Sequence, residues 1–295
     1  MGGHSSERKI SIETGNQVLN ALKNYDLKLK RFLIGGNIKK FVSDIISFSP
    51  DVVFNALHGR FGEDGQVQSI LNSLQIPYTH SGATSSALAI NKHFSKIIFR
   101  DSGIPCPKSE LVEINKDFST ELSLPMVLKP IDGGSSIDVV LIKNKTELEK
   151  KTRSFFQSNK LGMFEEFIPG REITVGVFDN KVIGIIEIIS DENFYNYKSK
   201  YINVAKHILS PELPKNIKKK LYEFTLTAHR SLGCNFISRS DFRYNEKTNT
   251  LYLLEINTQP GLTKNSLLPE MANNIGIDFN ELCNKILENA KCESL

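Results

Sequence analysis

Residues 237–261 read ISRSDFRYNEKTNTLYLLEINTQPG, and this stretch limits what the chain can fold into more than any other. Two β-rich runs flank a polar turn, and each run carries an acidic residue. Side chains two apart on a strand share a face. Arg239 and Asp241 therefore point the same way, as do Glu255 and Asn257. A hairpin closed around Lys247-Thr248-Asn249 sets Asp241 opposite Glu255. Two carboxylates and an amide oxygen then meet on one surface with a guanidinium beside them. Oxygen ligands grouped in this way suit Mg²⁺, which is usually held by one or two carboxylates plus substrate phosphates. Glu255 interrupts the apolar run LYLLEI. A carboxylate in a strand that otherwise reads as buried needs a partner, because an unpaired buried charge is costly. The competing reading is a surface hairpin whose charges face water, as ordinary antiparallel alternation allows.

The chain has 295 residues, 40% of them hydrophobic, enough for two or three small domains with their own cores. The net charge of +4 is modest and Lys and Glu are interspersed, so there is no nucleic-acid footprint. Cys106, Cys234, Cys283 and Cys292 form no CxxC and no metal spacing, which fits a reduced, cytoplasmic chain. No apolar run approaches a membrane span, no signal peptide opens the chain, and no repeat is visible.

From the start, Gly2-Gly3 and small polar residues precede a helical pattern over Ile10–Leu22, like the turn after a first β-strand. No strand precedes them. A strand over Leu29–Ile34, a helix over Ile38–Phe48 and an apolar strand over Asp51–Leu57 follow. That strand ends in the loop HGRFGEDG, at the carboxyl end where such sheets bind ligands. A helix over Ser85–Arg100 carries Lys92 and Lys96, and solvation is the default for either lysine. Ser102-Gly103-Ile104-Pro105 ends it.

The next unit has a strand Met126–Pro130 that places Lys129 after three apolar residues. It runs through Asp132-Gly133-Gly134-Ser135-Ser136 into the strand Val139–Ile142. This hairpin flap would offer backbone N–H groups to phosphates, although the Walker spacing is absent. Thr146 and Glu149 suggest a capping box for a helix over Thr146–Gln157. A strand Gly162–Ile168 carries Glu165-Glu166-Phe167-Ile168 and turns at Pro169-Gly170. The last unit opens with a hairpin, Ile173–Phe178 with Val182–Ile189. A polar, aromatic stretch, Asp191–Tyr201, has the character of a lid. A helix over Pro211–Leu232, the hairpin described above and a helix capped by Asp278 complete the chain.

Taken together, GGHSSER, HGRFGEDG, SALAINK, VLKP with GGSS, EEFIPGREITV, FYNYKSKY, SRSDF and LLEINTQPGLTKNSLLP resemble the D-alanine–D-alanine ligases of the ATP-grasp superfamily. Each motif alone is weak; their order and spacing over essentially the whole chain are specific. The resemblance implies α/β and α+β architecture in three parts. These are an N-terminal parallel-sheet domain over 1–88, a central ATP-grasp subdomain over 89–170, and a C-terminal subdomain over 171–295 with lid and metal site. It implies ATP and two Mg²⁺ or Mn²⁺ ions per site, two molecules of D-alanine as substrates, and a homodimer through the first domain. By family pattern Lys92, Lys129 and Lys200 contact nucleotide, with Lys129 on its phosphates and Lys200 reaching from the lid. Glu165 and the backbone at Phe167-Ile168 read adenine, and Glu172 holds the ribose. Asp241, Glu255 and Asn257 match the metal ligands. Arg239 and the Gly261 N–H match the oxyanion donors. Glu7, Ser135 and Tyr201 match a hydrogen-bonded triad, with Glu7 beside the first substrate's ammonium. His58 lies near that substrate's carboxylate, and Ser266 and Leu267 bind the second.

The chain departs from this pattern in places. The family's apolar strand before Gly-Gly is missing, which implies an upstream start or a weakened first domain. Asn196 and Ser199 alter the lid, Asp138 stands where Gly is common in the flap, and Lys264-Asn265 replaces a small-polar and His pair. None of these removes a named ligand, and slower turnover is the expected limit. Formation of D-alanyl-D-lactate or D-alanyl-D-serine is the nearest alternative; Lys200-Tyr201 favours D-alanine. A nucleotide or D-alanine sensor without turnover is the alternative of a different class.

Overall fold

Apolar–polar alternation in the two hairpins builds an antiparallel sheet on which much of the chain docks. The structure is a computed structural model and describes residues 1–114, 118–134, 137–189 and 205–293. In the first part, α1 (Arg8–Leu22), α2 (Ile38–Phe48) and α3 (Gln66–Ser73) surround extended chain. The strands expected at Leu29–Ile34 and Asp51–Leu57 are joined by single parallel bridges, Gly2 to Ile34 and Val53 to Tyr78, and not by continuous ladders. Leu27, Leu29 and Leu33 stay exposed among Lys28, Lys30 and Arg31, while Phe32 and Ile34 turn to the core. Met1–Gly3 run alongside it, with Gly3 N donating to Ile34 O at 3.0 Å. Gly2 and Gly3 have φ of 97° and 88°, which glycine reaches without strain. Ile34, Ile45, Leu57, Leu71 and Tyr78 form the core here.

The single helix expected over Ser85–Arg100 is two, α4 (Ala83–Ile90) and α5 (Lys92–Asp101). Asn91 causes the break. Its extended backbone ends α4, and its side chain accepts from His93 N and Phe94 N to start α5. Both helices contribute to one apolar cluster, Ala89 and Phe99 with Ile173, Val175, Phe242 and Leu253.

The middle sheet has the order β1-β4-β2-β3, formed by β1 (Ser109–Glu113), β2 (Met126–Pro130), β3 (Val140–Ile142) and β4 (Leu161–Glu166). It is covered by α6 (Lys145–Phe155), whose cap is Asn144 and not Thr146. Asn144 accepts from Glu147 N, and Glu147 accepts from Lys143 N at 2.9 Å, so the cap sits two residues earlier than expected and the return bond falls on the residue before it.

The larger sheet is β5 (Arg171–Phe178), β6 (Lys181–Ile189), β7 (Lys206–Leu209), β8 (Ile237–Asn245) and β9 (Thr250–Asn257), in the order β7-β6-β5-β8-β9. One face buries Ile173, Val175, Phe242 and Leu253 against α4, α5 and α7 (Lys215–Ser231). On the other, α8 (Leu267–Asn274) approaches closely over Gly176 and Gly184. A Cβ on Gly176 would meet Met271 Sδ at 2.6 Å. The last helix, α9 (Phe279–Glu288), starts at Asp278, which accepts from Asn280 N and Glu281 N. It packs Cys283 against Val18, Ala21 and Leu22 of α1. The chain then returns to the first part, where Lys291 bridges Tyr78 and Glu293 accepts from Ala83 N. Among the described residues no helix is long and apolar enough to cross a membrane.

Candidate active site

The hairpin β8–β9 sets Asp241 directly opposite Glu255 and Arg239 opposite Asn257. A bulge produces this register. From Asn245↔Thr250 to Phe242↔Leu253 the ladder is regular; Leu254 is then extra, and pairing resumes one residue later. A shift of one residue exchanges the faces of a strand. Without it Glu255 would oppose Ser240, which is fully buried on the core side. With it, Glu255 joins Arg239, Asp241 and Asn257 on the cleft face.

Asp241 is well supplied with donors. Arg239 reaches it through Nε at 3.0 Å and Nη2 at 2.8 Å, Thr174 Oγ1 at 2.6 Å, and Asn257 Nδ2 at 3.1 Å. Lys92, at the start of α5, places Nζ 3.1 Å from Glu255 Oε2 and donates to Gly133 O at 2.6 Å. Helix α5 thereby joins Glu255 to the segment around Gly133. Both carboxylates carry a cationic partner. Among the described residues, no three His, Cys, Asp or Glu side chains come close enough together to hold an ion. This oxygen-rich pair fits Mg²⁺ or Mn²⁺ only with further oxygens from a ligand's phosphates or water, which is how Mg²⁺ is usually bound.

Behind this pair lies a buried ionic cluster. Glu165 on β4 faces Lys129 on β2, with Nζ to Oε1 at 2.6 Å; its other oxygen faces Lys96 of α5 at 2.8 Å. Burial pushes Glu165 toward its neutral form, but the charges of Lys129 and Lys96 outweigh this and hold its carboxyl below the ordinary value. Burial also lowers Lys129, against the pull of Glu165. Next to this cluster Arg243 organises the segment after β4. It donates to Ile168 O at 3.1 Å and to Glu172 Oε2 at 3.2 Å, and lies 6.0 Å from the centre of the Phe167 ring.

On the first part's side, Glu7 ends the turn before α1 without capping it. Its carboxylate lies against Gly59 and Gly134, where an added Cβ would come within 2.9 and 3.1 Å of Oε2. His58 is held by Thr14 Oγ1 and Glu63 Oε1, each at 3.0 Å. Gly261 faces Ser266, the residue before α8, whose hydroxyl is held by Thr263 Oγ1 at 2.8 Å. A buried amide pair joins the two sides. Asn55 Nδ2 donates to Gln259 Oε1 at 2.8 Å, and Gln259 Nε2 donates to Leu57 O.

One cleft of about 1110 Å³ is lined by Glu7, His58, Lys92, Lys129, Glu165, Phe167, Ile168 and Glu172. Arg239, Asp241, Glu255, Asn257, Gly261, Ser266 and Leu267 complete its lining. Ser135, Lys200 and Tyr201 lie outside the described residues. Sequence reasoning missed Lys96, Arg243, Thr174 and the Asn55–Gln259 pair. The first two had a signal. Lys96 falls on the same helical face as Phe99 and Lys92, and Arg243 continues the alternation of Arg239 and Asp241.

Comparison with known proteins agrees over the same regions. Residues 35–81 match the family described as D-ala D-ala ligase N-terminus, and residues 99–288 match D-ala D-ala ligase C-terminus. The D-alanine–D-alanine ligase of Acidiphilium cryptum (strain JF-5) is 38% identical over 294 residues, covering 99% of this chain and 97% of that protein. The one from Pelagibacter ubique (strain HTCC1062) is 44% identical over 299 residues, covering 98% and 96%. The crystal structure of D-alanine–D-alanine ligase from Bacillus anthracis complexed with ATP superposes with a TM-score of 0.84 at 31% identity, over 98% of this chain and 94% of that one. By sequence, fold and the composition of its cleft, this chain belongs to the D-alanine–D-alanine ligase family.

Proposed function

We propose that this chain joins two molecules of D-alanine into D-alanyl-D-alanine, converting ATP to ADP and phosphate, for peptidoglycan precursor synthesis. The observation that carries this reading is the opposition of Asp241 and Glu255, with Arg239 beside them, in a cleft shared with Lys129 and Glu165. Membership of the family supports the substrate pair. We read residues 1–88, 89–170 and 171–295 as its three parts, and a homodimer through the first part belongs to the same reading.

A carboxylate is a poor electrophile, so it must first be activated. In this reading one D-alanine carboxylate oxygen attacks the γ-phosphorus of ATP, and ADP leaves. Phosphoryl transfer needs mainly positioning and charge neutralisation. Lys129 and Lys92 act on the nucleotide, with Lys200 from the lid segment. Asp241, Glu255 and Asn257 would hold Mg²⁺ or Mn²⁺, which when bound supplies positive charge against the phosphate oxygens. Arg243 fixes Phe167, Ile168 and Glu172, so the adenine and ribose contacts keep their places. Glu7 receives the ammonium of the first D-alanine and His58 stands by its carboxyl group.

The amine of the second D-alanine then attacks the acyl carbon. Ser266 and Leu267 hold its carboxylate. The attack forms the C–N bond and a tetrahedral oxyanion held against Arg239 and the Gly261 N–H; collapse of the oxyanion to the carbonyl breaks the C–O bond to phosphate, and the nitrogen gives up its extra proton to solvent. Preorganised donors of this kind act on charge that exists only in the transition state.

D-alanine labelled with heavy oxygen in its carboxyl group tests the activation step. The released phosphate is expected to carry one labelled oxygen per dipeptide formed. Unlabelled phosphate alongside dipeptide would refute an acyl phosphate.

A further inference from the structure

The cluster Lys96–Glu165–Lys129 sets two buried ammonium groups against one carboxylate, with the charge of Glu255 the next to act on Lys129. Lys96 is 0% exposed, Glu165 3% and Lys129 7%. Lys129 and Glu165 line the cleft, while Lys96 sits behind them on α5. A single lysine at 2.6 Å already neutralises Glu165. The second lysine adds a buried ammonium, with its desolvation cost and a repulsion toward Lys129 that lowers the latter's pKa.

Nucleotide binding gives the extra charge a use, on the reading of the site proposed above. Lys129 is the residue assigned to the phosphates. An ammonium held against Glu165 at 2.6 Å must give up or share that contact to reach them. A buried carboxylate left with no cation is strongly disfavoured. Lys96 prevents that outcome. It keeps its own contact with the other carboxylate oxygen at 2.8 Å, and a carbonyl, Leu253 O, stands 3.5 Å from its Nζ.

We propose that Lys96 is a positioning residue for nucleotide: its fixed charge keeps Glu165 ionised and oriented toward adenine while Lys129 transfers to the phosphates. The cluster works as an exchange, in which one lysine stays and the other is released to the ligand.

The test is calorimetric titration of the full-length protein and the variants Lys96→Met and Lys96→Arg with Mg-ATP, Mg-ADP and adenosine. Adenosine has no phosphate, so Lys129 stays on Glu165 and the second lysine is not needed. Lys96→Met is expected to weaken Mg-ATP and Mg-ADP by at least about tenfold, or about 1.4 kcal/mol. The same variant should weaken adenosine by less than about threefold, since no charge transfer accompanies it. Lys96→Arg should restore most of the loss. In steady state the change should fall on KM for ATP, with KM for D-alanine unmoved. Lys96→Met leaves Lys129 paired with Glu165, so the unliganded variant should fold; Lys96→Gln is the second variant should it not. Equal losses for all three ligands, or no loss, would overturn the proposal while leaving the ligase reading intact. Wild-type protein that binds no Mg-ATP would overturn that reading, and this proposal with it.

Discussion

Arg239 spends two of its donors on Asp241 and still lines the cleft, with 13% of its side chain exposed. A guanidinium fixed by a two-point contact cannot swing, which is what a preorganised oxyanion donor requires. Lysine keeps the charge but loses the fork. Arg239→Lys is expected to lower kcat roughly 100-fold, the scale seen on removing one such donor. KM for ATP should stay within about threefold, since the fork acts on the transition state. Steady-state kinetics check both, and a kcat within tenfold of wild type would remove Arg239 from this role. The pairing of Arg239 with Asp241 was legible because it is local, two residues along one strand. Lys96 was not, because an isolated lysine reads as solvated. Only its place on a buried helical face, with Ser95 and Phe99, contradicts that default. Asp138 shows another residue-scale fit. Its φ of 57° is in the left-handed region, which explains why glycine is common at this place in the family pattern.

The strand β9 carries the decisive irregularity at the scale of elements. The sequence places Asp241 opposite Glu255 by assuming a turn centred on Thr248. The ladder beside the turn runs in a different register, and the extra Leu254 restores the expected pair. The right pair was therefore reached by a route the chain does not take, because a bulge leaves no mark in a period-2 pattern. Deleting Leu254 should leave a regular ladder with Asp241 still facing Glu255. Inserting one alanine after Leu253 should drive Glu255 toward the core face, against Ser240. D-alanine-dependent phosphate release is expected to survive the deletion better than the insertion, by at least about tenfold, and thermal unfolding should rank the two in the same order. Equal loss in both would show that register at Leu254 does not control the site. The helix break at Asn91 is not legible in the sequence for a related reason. Asparagine in a helical pattern gives no warning until its side chain is seen capping the next turn.

Across the whole molecule the site is assembled from distant parts. The Asn55–Gln259 bridge, the packing of Cys283 on α1 and the bridge from Lys291 to Tyr78 tie the C-terminal part to the first. Local periodicity says nothing about such contacts, so the expectation of three parts rests on resemblance, while the strands and helices rest on pattern. Motif order was the legible part, since among the described residues Glu7, His58, Lys92, Lys129, Glu165, Asp241 and Glu255, each from a different stretch of the chain or a facing strand, line one cleft. In the proposed function these residues together activate and join D-alanine. The most direct test is phosphate release from Mg-ATP with D-alanine, with L-alanine as control, measured beside dipeptide formation. Release is expected with D-alanine only, one phosphate for each D-alanyl-D-alanine. Release that ignores the stereochemistry of alanine, or D-alanine-dependent release without dipeptide, would contradict it.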